Sequence, residues 1–75
     1  MRTKEQYETL LSGLDFETRY RVMDEAENNA YDTGFDGKEN TDESDPRFWD
    51  VAYATAELLL DQEGYVNRNG VMVKG

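Results

Sequence analysis

The stretch from Gly34 to Ser44, GFDGKENTDES, holds a single apolar side chain, Phe35. A segment this poor in apolar groups cannot enter a core, so the fold must be built from the residues on either side of it. With 75 residues and no cysteine, those flanks must do so without a disulfide or a thiolate metal site. One domain is the most such a chain can form.

Local signals place the elements. Thr3-Lys4-Glu5-Gln6 has the pattern of a capping box, and Tyr7, Leu10, Leu11 and Leu14 follow at helical spacing. Gly13 suits the left-handed residue that ends such a helix. Asp15 can cap a second helix whose expected apolar side is Phe16, Tyr20, Met23, Ala26 or Glu27, and Ala30, with Tyr31 at its edge and Gly34 and Gly37 ending it. Asp45-Pro46 starts a third helix, with Pro46 at a first position that needs no N–H partner. Its broad apolar face, from Phe48 and Trp49 through Ala52, Tyr53, Ala56, Leu59 and Leu60, suits a central helix, and places Trp49 between helices two and three. Beyond Gly64, Asn69-Gly70 supplies the two positive φ angles of a type I′ hairpin turn. A lone hairpin is marginal in water, so Tyr65 and Met72 are expected to close it onto helix three. The expected fold is mainly α: a three-helix domain with a C-terminal β-hairpin over residues 1–75. Its helices are expected over about 3–12, 15–32 and 46–63, its acidic linker over 34–44 and its hairpin over 65–73. Helices two and three are expected to run antiparallel.

Charge narrows the function. Between Asp24 and Glu63 thirteen carboxylates face only Lys38 and Arg47, and the whole chain carries −9. Self-repulsion on this scale works against a compact state, so the acid points to something outside the fold. A basic partner is the simplest candidate. Direct binding to nucleic acid or to an anionic membrane is disfavoured by the same charge. No apolar run approaches the length of a membrane span, and no basic flank precedes an apolar segment near the N-terminus. A cytoplasmic protein is expected.

Chemistry of other kinds finds little support. With no histidine and no cysteine, the common general base and the best nucleophile are missing. Adjacent acids such as Asp42 and Glu43 on an exposed linker are expected to be solvated rather than placed across a cleft. No enzymatic activity and no cofactor are expected. Asp32, Asp36, Gly37 and Glu43 do match positions one, five, six and twelve of a calcium-binding loop. Position three is Gly34, however, which has no side-chain ligand, and Glu39 stands where an apolar residue belongs, so an acidic surface loop without metal is the expected reading.

Two resemblances bear on the chain. Ala30-Tyr31-Asp32-Thr33-Gly34-Phe35-Asp36-Gly37 resembles the A/G-Y-x-x-G-x-x-G turn of ribosome modulation factor, where a Trp-bearing helix also follows, here with Trp49. That family is basic and binds ribosomal RNA, so the resemblance implies a turn between two helices and carries over no functional residue. In size, charge and lack of cysteine the chain also looks like small phage-encoded inhibitors of host defence. That likeness implies a charge mimic occupying a basic, nucleic-acid-binding host protein. The candidate contact residues are Asp32, Asp36, Glu39, Asp42, Glu43, Asp45, Asp50 and Glu57, and the linker acids among them, having no apolar neighbours, are expected to have no packing role. The alternative is an adaptor module that binds a partner, or a second copy of itself as a homodimer, through aromatic and hairpin surfaces.

Overall fold

Three helices and a hairpin form in the order expected. The computed structural model describes residues 1–75 and has helices α1 (Lys4–Leu11), α2 (Phe16–Tyr31) and α3 (Arg47–Gln62), then strands β1 (Tyr65–Arg68) and β2 (Val71–Lys74). Thr3 and Gln6 close the capping box of α1, and Asp15 accepts from the Thr18 N–H at the start of α2. Pro46 already has helical angles and Asp45 Oδ1 accepts from the Arg47 N–H at 3.0 Å, so Asp45 caps α3 as its sequence suggests. Asn69 and Gly70 take φ of 56° and 85° at the hairpin turn, and the strands pair antiparallel with Asn67 opposite Met72. No helix is long and apolar enough to cross a membrane.

α2 and α3 run antiparallel. Arg21 near the start of α2 reaches Glu63 beyond the end of α3, Asn29 bonds Thr55, and the Tyr31 ring meets Phe48 edge-on at 4.8 Å. Small side chains line the contact: Val22, Ala26 and Ala30 on α2, Ala52 and Ala56 on α3, all fully buried. Close approach of the two backbones follows from having so little between them. α1 covers the other side of α3 through Tyr7, Leu10 and Leu11, and Met72 of β2, which packs on α1, joins the same core.

The apolar side of α2 is therefore not the one its aromatics suggest. Phe16 and Tyr20 are 71% and 67% exposed, and they stack on each other at 6.0 Å. Two stripes at four-residue spacing overlap on this helix. The one with alanines wins because a tyrosine or phenylalanine would hold α2 off α3. Trp49 is buried, but its ring packs on Tyr7 of α1 at 5.4 Å and on Phe48 at 4.7 Å, so it seals α1 against α3 rather than α2 against α3.

Two glycines serve differently from expectation. Gly13 has no positive φ. A Cβ there would lie 3.0 Å from Val71 Cγ1 and 3.1 Å from the Met72 carbonyl oxygen, so its use is to let β2 pass close. α2 ends at Tyr31, before Gly34, where the Thr33 hydroxyl donates to the Asn29 carbonyl at 2.8 Å. Gly34 lies under the returning loop, and a Cβ on it would sit 1.8 Å from the Lys38 carbonyl oxygen.

Candidate acidic interface

The loop joining α2 to α3 is stitched to the fold by its own charges. Arg47 lies at its exit and pairs with Asp36 at 2.6 Å and with Asp45 at 2.7 Å, while its guanidinium sits 4.3 Å from the centre of the Phe35 ring. Bonding to Arg47 lowers the Asp36 carboxyl and brings Asp45 down to about 2. Asp42 accepts from the Ser44 N–H at 2.9 Å and from the Ser44 hydroxyl, which lowers its carboxyl too. Glu43 accepts from the Tyr31 hydroxyl at 3.2 Å. Of the carboxylates at calcium-loop positions, Asp36 thus turns to Arg47 and Glu43 to Tyr31, and no group of three or more acids is placed to hold a metal ion.

Of the eight candidate contact residues, six are engaged inside the molecule. Besides Asp36, Asp42, Glu43 and Asp45, Asp50 accepts from the Arg2 N–H, and Glu57 accepts from Asn67 Nδ2 at 2.7 Å. Asp36, Asp42 and Glu43 of the linker thus hold the loop by polar bonds, although they have no packing role. Only Asp32 and Glu39 stand exposed without a bonded partner.

Free acid is found elsewhere. Glu17, Asp24, Glu25 and Asp32 all lie exposed on the arc of α2 that faces away from α3. From Glu17 to Asp24, and again from Glu25 to Asp32, seven residues rise by about 10 Å. Glu5, Glu8 and Asp61 are exposed as well. Glu17 and Asp24 border the aromatic stripe that the sequence favours as the buried side of α2. With Val22, Ala26 and Ala30 facing inward instead, both stand at the back of the helix.

Five of the eight cations are engaged within the fold, while Arg19, Lys38 and Arg68 form no salt bridge. Arg21 forms a two-pronged pair with Glu63 at 2.8 and 2.6 Å, and Arg47 holds the loop. The Arg2 guanidinium lies 4.2 Å from the centre of the Tyr53 ring, and the Lys4 and Lys74 ammonium groups lie 5.8 and 4.5 Å from those of Trp49 and Tyr65. No helix has a basic residue in its last turn, while Asp32 caps the end of α2 and Asp61 sits in the last turn of α3. Acid at a helix C-terminus opposes the macrodipole, so these positions are held against a local stability cost.

Beside the acidic arc runs the exposed aromatic row of α2. Between Tyr20 and Tyr31 lies a groove of about 290 Å³ lined also by Met23, Asp24, Glu27 and Asn28. Tyr7 of α1 donates to Glu27 Oε2 at 3.0 Å. Burial pushes the Glu27 carboxyl above the ordinary glutamate value, against the lowering effect of that bond. Comparison with known protein families, with characterised proteins and with solved structures gives no match to this chain.

Proposed function

We propose that this is a non-enzymatic, cytoplasmic protein that binds a basic, nucleic-acid-binding partner and occupies its cationic surface by charge mimicry. The observation that carries the reading is the exposed back of α2, where Glu17, Asp24, Glu25 and Asp32 form no salt bridge with any cation of this chain. Their steps of about 10 Å match roughly three phosphates along the axis of one nucleic-acid strand. A rigid helix presents them at fixed intervals, so a partner shaped for a phosphate backbone meets charge at positions it already recognises. Such attraction sums over the patch, speeds encounter and weakens with salt.

Capture on immobilised protein from a host extract, eluted with a salt gradient and read by mass spectrometry, tests this reading. A parallel column carries the variant Glu17→Gln/Asp24→Asn/Glu25→Gln/Asp32→Asn, whose net charge is −5 instead of −9. The reading expects a nucleic-acid-binding protein held by the parent, released at moderate salt and lost from the variant column. A partner retained equally by both columns at high salt contradicts it.

A further inference from the structure

We propose that the groove between Tyr20 and Tyr31 on α2 is a receptor for an arginine guanidinium carried on an amphipathic segment of the basic partner, with Glu27 as the carboxylate that receives it. The inference rests on the reading above and names the site at which affinity becomes specific. Arginine is favoured over lysine because a planar guanidinium can bond a carboxylate in two places and lie flat on a tyrosine ring.

Glu27 differs from the other acids in its setting. Its counterparts Asp36, Asp45 and Glu63 each have an arginine of this chain. Glu27 has only the neutral phenol of Tyr7, on Oε2, and Oε1 bonds nothing within the chain. It is half-buried beside Met23, which raises the cost of its charge until a cation arrives. Glu27 also lines a second cleft, with Trp49 and Glu43 on its far side and Lys4 at the rim, so it stands between two concavities. At about 290 Å³ the groove lies at the lower end of the ~300–1,000 Å³ of ligand pockets, which leaves room for a long side chain.

Charge complementarity decides the occupant. Asp24 and Glu27 are the only charged residues lining the groove. A second copy of this chain would bring −9 against −9 and set carboxylates facing carboxylates, a juxtaposition that opposes association. A segment with arginines on one side and leucines on the other meets both parts of the surface. Its cation enters between the tyrosines, and its apolar side lands on the stacked Phe16 and Tyr20 rings one turn away.

The probe is a synthetic amphipathic helical peptide with arginines and leucines at helical spacing, compared with its lysine and citrulline counterparts. It is titrated into ¹⁵N-labelled protein and followed by amide shifts. The expected result is a shift pattern confined to residues 16–31 and the facing Tyr7 region, with arginine tighter than lysine and citrulline without binding. Glu27→Gln, whose amide oxygen still accepts from Tyr7, should weaken the arginine peptide about ten-fold, as loss of one charge-assisted bond does. Tyr20→Ala should weaken it as well, with both variants still folded. Salt-sensitive binding that survives both substitutions unchanged overturns this site and leaves the broader reading standing. Failure of the arginine peptide to bind even at low salt overturns both. Concentration-dependent shifts of the same amides without peptide identify a second copy as the occupant and overturn the proposal.

Discussion

The rotational setting of α2 decides which side chains are core and which are surface, and one pair of substitutions tests it. Ala26 is fully buried among Val22, Ala30, Ala52 and Ala56, at a contact made narrow by small residues on both helices. Ala26→Leu adds three carbons where no space is available, and overpacking of this kind costs about 1–3 kcal/mol. A 75-residue domain has about 4–11 kcal/mol in total, at roughly 0.05–0.15 kcal/mol per residue. Each kcal/mol moves the melting midpoint by about 4–8 °C at this size, so a fall of about 4–24 °C is expected. Tyr20→Ala, at a position 67% exposed, should change stability by no more than about 0.5 kcal/mol. Thermal melts followed by far-UV circular dichroism give both numbers. If Tyr20→Ala lowered the midpoint more than Ala26→Leu, α2 would be turned the other way. The acidic back and the groove would then both be misplaced.

Trp49→Ala should cost about 3–5 kcal/mol, because the ring is buried against Tyr7 and Phe48, and chemical denaturation should find the variant at or below the threshold of folding. Arg47→Met should release the loop, seen as faster amide exchange over residues 35–45 with the three helices still protected; unchanged exchange there would show that Asp36 and Asp45 do not hold it. Stability should follow pH with two opposite slopes. The Glu27 carboxyl is raised in the fold, so its charge is a burden that is lifted as pH falls from neutral, and denaturant midpoints should rise toward pH 5 as the excess acid is neutralised. Asp36, Asp42 and Asp45 are lowered, so the stability they contribute is full above their unfolded value of 3.8 and is lost as pH falls below it, for Asp45 toward about 2. A monotonic decline from pH 7 downward would contradict the first slope.

Signals that act within a few residues were legible in the sequence. Thr3 with Gln6, Asp15, Asp45 with Pro46, and Asn69 with Gly70 each set backbone geometry through neighbours a turn away, and each stands where its spacing suggests. The setting of α2 was legible only in part: Ala26 and Ala30 are buried as expected, whereas Phe16 and Tyr20, which outweigh them in hydrophobicity, yield to Val22 in fit. Gly13 and Gly34 read as helix ends, whereas their use is close approach to chain segments distant in sequence or folded back over them. The bonding of the linker acids is hidden in the sequence for a related reason. That Arg47 gathers Asp36 and Asp45 depends on the path of the loop, which composition does not specify. Two expected contact residues, Asp32 and Glu39, stand free, and the remaining free acid on α2 became visible only once its buried stripe was known.

Competition with nucleic acid tests charge mimicry most directly. The partner captured on the immobilised chain is loaded with a fluorescent duplex or RNA, and anisotropy is followed as this protein is added. Mimicry predicts full displacement of the nucleic acid. It also predicts that the variant lacking the Glu17, Asp24, Glu25 and Asp32 charges needs about ten-fold more protein or greater, since four phosphate-like contacts are removed together. A ternary complex in which the nucleic acid stays bound while this protein joins would contradict the account, because the acidic back of α2 would then be meeting a different surface.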